Sequence, residues 1–162
     1  MIFYLPSTSR VSRGFGAIHH GIDFACPIMS DVMAAADGVA VDAYPESSGY
    51  GVHVVLEHRR GDVRYRSIYG HLTEALCKPG DIIKAGQVVG HSGNTGRSSG
   101  PHLHFELRYS LSGVPVSPVD PHKHGLMDRV AEYTPAPVEY WHEAQCPNCG
   151  CQVDVLCDRG DV

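Results

Sequence analysis

The sequence predicts an all-β fold, and three observations carry that expectation. Apolar runs are short and alternate with polar positions. Between them, 18 Gly and 11 Pro in 162 residues supply turns at close intervals. The one group of good helix formers, Met33 to Ala36, reaches Gly38 before it can pass the nucleation cost of a helix.

The elements follow in order. GVAVDAY from Gly38, VHVVLEH from Val52, VRYRSIYGHL from Val63, DIIKAGQVVGHS from Asp81 and PHLHFELRY from Pro101 read as strands. They are separated by Ser48-Gly49, Arg60-Gly61-Asp62, Pro79-Gly80-Asp81 and Ser92-Gly93-Asn94-Thr95-Gly96, all turn chemistry. A faint echo links SDVMAAADGVAV after Pro27 with GDIIKAGQVVG after Pro79, the pattern of a duplicated hairpin. Past Pro118-Val119-Asp120-Pro121 the texture changes: LMDRVAEY is expected to make two helical turns, TPAP breaks them, and a cysteine-rich stretch closes the chain. The boundary is placed near Gly125, giving a main domain over 1–125 and a linker with a Cys-rich tail over 126–162.

Composition narrows the function. With 43% hydrophobic and 19% charged residues the chain has the make-up of a globular protein. The net charge is −5 and the basic residues are scattered, so no nucleic-acid partner is expected. No apolar run approaches the roughly 20 residues of a membrane span, so no membrane insertion is expected either. MIFYLPSTSR lacks the basic flank and cleavage site of a secretory leader, which predicts synthesis in the cytoplasm. Four of the six cysteines crowd into the tail, and Cys26 and Cys77 stand alone, against a disulfide-bridged scaffold.

The chemistry is carried by histidines. In a strand alternate residues share a face, so His102 and His104 of GPHLHFEL project together, away from Leu103 and Phe105. In extended HHGID, His19 and Asp23 share a face across Gly21, while His20 points the other way. Two imidazoles and one carboxylate, with a fourth position for water, form the ligand set of a catalytic zinc site. Parity does not say which residue of the His102/His104 pair takes the metal. Proton acceptor and oxyanion donor are sought in the remaining one and in His71 of Tyr69-Gly70-His71-Leu72. His53, His58, His91, His122, His124 and His142 are expected at the surface.

At these residues the sequence resembles the lysostaphin/LytM-type zinc metallopeptidases, which are peptidoglycan endopeptidases. HxGxD stands as His19 to Asp23, YxHL as Tyr69 to Leu72, and the GNTG…GPHLHFE segment as Gly93 to Glu106, in order over residues 14 to 120. The resemblance implies Zn2+ ligands His19, Asp23 and His104, and a catalytic pair His71 and His102. It implies a small antiparallel β-barrel or sandwich with an open groove, and a peptidoglycan cross-bridge or stem peptide as substrate. Action on the cell wall would suit a phage lysin or a virion-borne enzyme. One departure stands out: Phe15-Gly16-Ala17-Ile18 lacks the arginine usual before the first motif.

Two other functional classes compete. A catalytically silent LytM-like module that activates another wall hydrolase typically lacks one or more of these five residues, and all five are present. A lipoyl- or biotinyl-type carrier needs a lysine at a hairpin tip, whereas Lys84 lies inside IIKAG. In the tail, Cys146, Cys149, Cys151 and Cys157 have the number and spacing for a second, structural zinc. Such a knuckle would order the tail or dock a protein partner, and Tyr140 and Trp141 are expected to seal the tail on the main domain.

Overall fold

The structure is a computed structural model, and it describes residues 3–43, 49–111 and 116–127. The strands among these residues are β1 (Phe3–Tyr4), β2 (Val11–Arg13), β3 (Ile22–Phe24), β4 (Asp31–Met33), β5 (Gly38–Asp42), β6 (Val52–Arg60), β7 (Val63–Ala75), β8 (Ile82–Ile83), β9 (Val88–Ser92), β10 (Leu103–Leu111), β11 (Ser117–Val119) and β12 (Leu126–Met127). A single turn of 3-10 helix, Pro121–His124, is capped by the Asp120 side chain and ended by Gly125 at φ 90°.

Ten of the strands form one antiparallel sheet, ordered β2-β3-β10-β7-β6-β5-β8, with β11 on β10 and β4 joined through β9 to β7. The all-β expectation is thus met, and Met33 to Ala36 forms no helix. The stretch expected as one strand over 81–92 is broken by a turn in which Gln87 N donates to the Lys84 carbonyl, leaving β8 and β9 apart. Expected helical turns from Leu126 do not begin there: Leu126 and Met127 pair in parallel with Phe3 and Tyr4. Leu126 is also part of the core. The rest of LMDRVAEY and the four tail cysteines lie outside the described residues.

Parity organises the core. Leu103, Phe105 and Leu107 of β10 are fully buried against Ile22 and Phe24 of β3, Tyr69 of β7 and Leu56 of β6. Alternate residues of the same strands are thereby forced onto the opposite face, where the chemistry sits.

His58 departs from its expected surface position and is fully buried. Its Nδ1 donates to the Asp37 carbonyl at 2.7 Å, while the Ser67 hydroxyl lies 2.8 Å from Nε2 and 3.0 Å from the Tyr69 hydroxyl. His53 is buried as well, with Nδ1 donating to the Gly51 carbonyl at 2.9 Å. Burial holds the His58 imidazole below its ordinary 6.5, against the opposing pull of the Asp37 carbonyl. The unfolded chain therefore takes up a proton that the folded chain refuses as pH falls through about 6.5. This contribution to stability is complete above that pH and lost below it, by up to about 1.4 kcal/mol per pH unit. Denaturant midpoints measured between pH 7.5 and 5.5 should fall with acidification, and His58→Gln should flatten the profile; equal slopes in both proteins would contradict the assignment.

Candidate metal centre

Asp23 and His104 stand directly opposite each other on β3 and β10, so their side chains share the outward face. His19 arrives from a tight turn: Gly16 and His19 exchange backbone hydrogen bonds of 2.8 and 3.2 Å around Ala17-Ile18. Its Nε2 reaches Asp23 Oδ1 at 3.0 Å, and His104 Nδ1 reaches the same oxygen at 2.8 Å. The three potential ligand atoms all lie within 4.8 Å of one another.

The other ring nitrogen of His19 settles its tautomer. A carbonyl can only accept, so His19 Nδ1 donates to Gly14 O at 2.9 Å and Nε2 carries a lone pair in the neutral ring. That lone pair faces a carboxylate oxygen, a repulsion that a cation, or a proton on the ring, must relieve. His104 turns Nε2 towards the carboxylate of Glu106, 3.7 Å away. Imidazoles backed by a carbonyl and a carboxylate, with their free nitrogens converging beside a third ligand, are the outer-shell arrangement of a metal site. The donor set fits a divalent metal of the zinc type.

Electrostatics agree with an ionised ligand. Burial pushes the Asp23 carboxyl up, but the His104 hydrogen bond and the His104, His19 and His102 charges together hold it below its ordinary value. Burial opposes charge on His104 too, yet Asp23 and Glu106 together raise its pKa.

Gly21 leaves no room for a side chain: a Cβ there would come within 2.7 Å of His104 Cε1 and 2.5 Å of the Phe105 carbonyl oxygen. The space beside Gly21 is thus filled by the His104 imidazole.

His71 reaches the site through an irregularity. Gly70 faces His104 across β7 and β10, so regular alternation would send His71 to the core side with Tyr69. Between Tyr69 and Leu72 the pairing with β6 slips, and His71 adopts φ 63° while its N–H bonds the Tyr50 carbonyl at 2.7 Å. This β-bulge re-aims the side chain. The His71 ring then lies 4.6 Å from that of His102 and 6.0 Å from that of His104, centroid to centroid. Its Nδ1 donates to the Thr95 carbonyl at 2.9 Å, and His102 Nδ1 donates to the Gly100 carbonyl at 2.8 Å. Among the described residues neither Nε2 atom makes a hydrogen bond, and that of His102 lies 3.8 Å from Asp23 Oδ1.

The model of peptidase family M23 matches residues 17–120. The chain belongs to peptidase family M23. A relative in Vibrio cholerae, the peptidoglycan DD-endopeptidase ShyA, is 43% identical over 114 residues, covering 69% of this chain and 24% of its own. The catalytic domain of the antimicrobial peptidase lysostaphin from Staphylococcus simulans superposes with a TM-score of 0.62 at 34% identity, covering 72% of this chain and 91% of that one. A zinc-containing peptidase from Vibrio cholerae gives 0.62 at 33% identity, covering 74% and 39%. The chain spans about a quarter of the length of the curated relatives it matches first.

In this M23 chain the five histidine and aspartate residues singled out from the sequence come together. Sequence reasoning missed Tyr50, whose ring stacks on His104 at 5.7 Å and whose hydroxyl donates to Glu106. Burial and the Glu106 carboxylate push the Tyr50 phenol up to about 12, so it stays a donor. Tyr50 lies before a strand and 54 positions from His104, so no local pattern marks it. Glu106 and Arg108 were open to reasoning, because they continue the His102, His104 parity along β10.

Proposed function

We propose that this M23 chain is a zinc-dependent endopeptidase that hydrolyses peptide bonds of bacterial peptidoglycan, in a cross-bridge or a stem peptide. The observation that carries the proposal is the convergence of His19 Nε2, Asp23 Oδ1 and His104 Nδ1 beside two imidazoles whose Nδ1 protons are already committed to carbonyls. ShyA and lysostaphin are named for a peptidoglycan endopeptidase and an antimicrobial peptidase, which supports the substrate class.

In this reading His19, Asp23 and His104 hold the zinc. When bound, zinc supplies Lewis acidity that brings a water towards neutral pKa and polarises the scissile carbonyl. His71 and His102 do the proton work at Nε2. One accepts the proton of the attacking water, and the other hydrogen-bonds the developing oxyanion. Attack forms the new carbon–oxygen bond, the carbon–nitrogen bond then breaks, and the accepted proton passes to the leaving amine. Tyr50 and Glu106 hold the His104 ring in place.

The division of the chain also belongs to this proposal: a peptidase unit over 1–125, closed by Leu126 and Met127, and a tail in which Cys146, Cys149, Cys151 and Cys157 bind a structural zinc and offer a protein-docking module. The site of action would be the cell wall, from the periplasm or the exterior, as a phage lysin or virion-borne enzyme would require. Among the described residues no helix is long and apolar enough to cross a membrane.

Mass spectrometry of products released from purified peptidoglycan should find newly cut peptide bonds, and release of none from any wall chemotype would defeat the proposal. Elemental analysis should give two zinc per chain and one after Cys146→Ser with Cys149→Ser; an unchanged metal content would remove the tail site.

A further inference from the structure

The outward face of the sheet continues beyond the metal centre and becomes cationic. Directly opposite residues on antiparallel strands share a face. Beside His104 and Gly70 the next row is Glu106, Ile68 and Val55; then come Arg108, Arg66 and Glu57, and finally Ser110, Arg64 and Arg59.

These last two rows hold four guanidinium groups. Arg108 is paired with the buried Glu106 at 2.8 Å. The other three share one carboxylate: Glu57 takes Arg59 at 2.8 Å, Arg66 at 3.2 Å and Arg64 only at 3.9 Å. Among the described residues, four cations against two carboxylates leave a local excess of positive charge, in a chain whose net charge is −5. Their side chains are open to solvent, 66% for Arg59, 45% for Arg64 and 38% for Arg66.

The arrangement also runs against sheet energetics. Arg108 stands directly opposite Arg66, and Arg59 directly opposite Arg64. Like charges in directly opposed positions destabilise a sheet. A local rule broken twice in neighbouring rows, on the face that carries the metal centre, points to a bound counter-charge.

We propose that these arginines bind a carboxylate of the peptide whose scissile bond lies at the metal centre, which makes them a specificity subsite. The proposal rests on the endopeptidase reading for the nature of the peptide. The planar guanidinium fork matches a carboxylate in bidentate fashion. Arg108 is four residues along β10 from His104, about 13 Å, which an extended peptide covers in about four residues. Between them the Tyr50 ring lies over Gly70 and His104, and its hydroxyl accepts from Arg108 at 3.1 Å, so the peptide would cross that ring to reach the exposed guanidinium groups.

The test is calorimetric titration of the full chain carrying His102→Gln with soluble muropeptides, and with the same muropeptides after conversion of their carboxylates to carboxamides. Amidation should weaken binding about tenfold. Arg64→Gln with Arg66→Gln should remove most of that difference while the unfolding midpoint holds or rises, because a like-charge opposition is relieved. Lys78→Gln, in the turn before β8, should leave the preference intact. Equal affinity for the two pools, or an undiminished preference in the arginine variant, would overturn the subsite. Failure of the endopeptidase reading looks different: the wild-type chain would release no products from wall, whatever the two affinities.

Discussion

Asp23→Ala is expected to empty the main metal site and abolish hydrolysis in the same protein. One oxygen of this carboxylate lies 2.8 Å from His104 Nδ1 and 3.0 Å from His19 Nε2. Without it two imidazoles remain, too few to hold zinc in place against water. The loss of turnover should be at least about a thousandfold, since both the nucleophile at neutral pH and the polarised carbonyl depend on the metal. His104→Ala should behave in the same way, because its imidazole is held from three sides, by Asp23, the Tyr50 ring and Glu106. The measurement is zinc per chain beside the rate of muropeptide release. Each variant should lose one metal equivalent relative to wild type and keep the tail's own. Circular dichroism should stay unchanged, because the buried apolar side chains of β3 and β10 face the other way. Full zinc content in either variant would mean that these residues are not the ligands.

How much of this was legible in the sequence depends on how local each determinant is. The partnership of His102 with His104, and of His19 with Asp23, follows from alternation in extended chain, and β10 keeps that alternation through Glu106 and Arg108. The pairing of Asp23 with His104 across β3 and β10 is a matter of register, which one strand does not reveal. His71 is the sharper case. Alternation alone would have turned it towards the core with Tyr69; its place at the end of a predicted strand made it a candidate, and the family motif gave it its role. A slip in pairing with a left-handed residue brings it to the site. Tyr50 and the burial of His53 and His58 were hidden for the same reason. Their partners are set by which strands meet, as with His58 under Ser67 of the neighbouring strand. Turn chemistry, by contrast, located the ends of the longer strands well, and missed chiefly the strands of two or three residues, where no periodicity can accumulate.

The complementary result is expected for the other two histidines. His71→Gln and His102→Gln should keep the metal and lose the reaction, by about a hundred- to ten-thousandfold each. Neither ring offers an atom to the three-ligand cluster, and both are anchored through Nδ1 to backbone carbonyls at 2.9 and 2.8 Å, so glutamine can fill the space without pulling on Asp23 or His104. What glutamine cannot do is take up and return a proton near neutral pH. The double variant separates two arrangements. If one imidazole accepts the proton and the other steadies the oxyanion, each acts on the same transition state, and the combined loss should fall short of the product of the single losses. Independent roles would instead multiply. Turnover on wall fragments, with zinc content measured on the same samples, decides between these outcomes. Full activity in both single variants would refute the assignment of proton chemistry to this pair, and loss of zinc in either would move that residue from the proton chemistry to the metal.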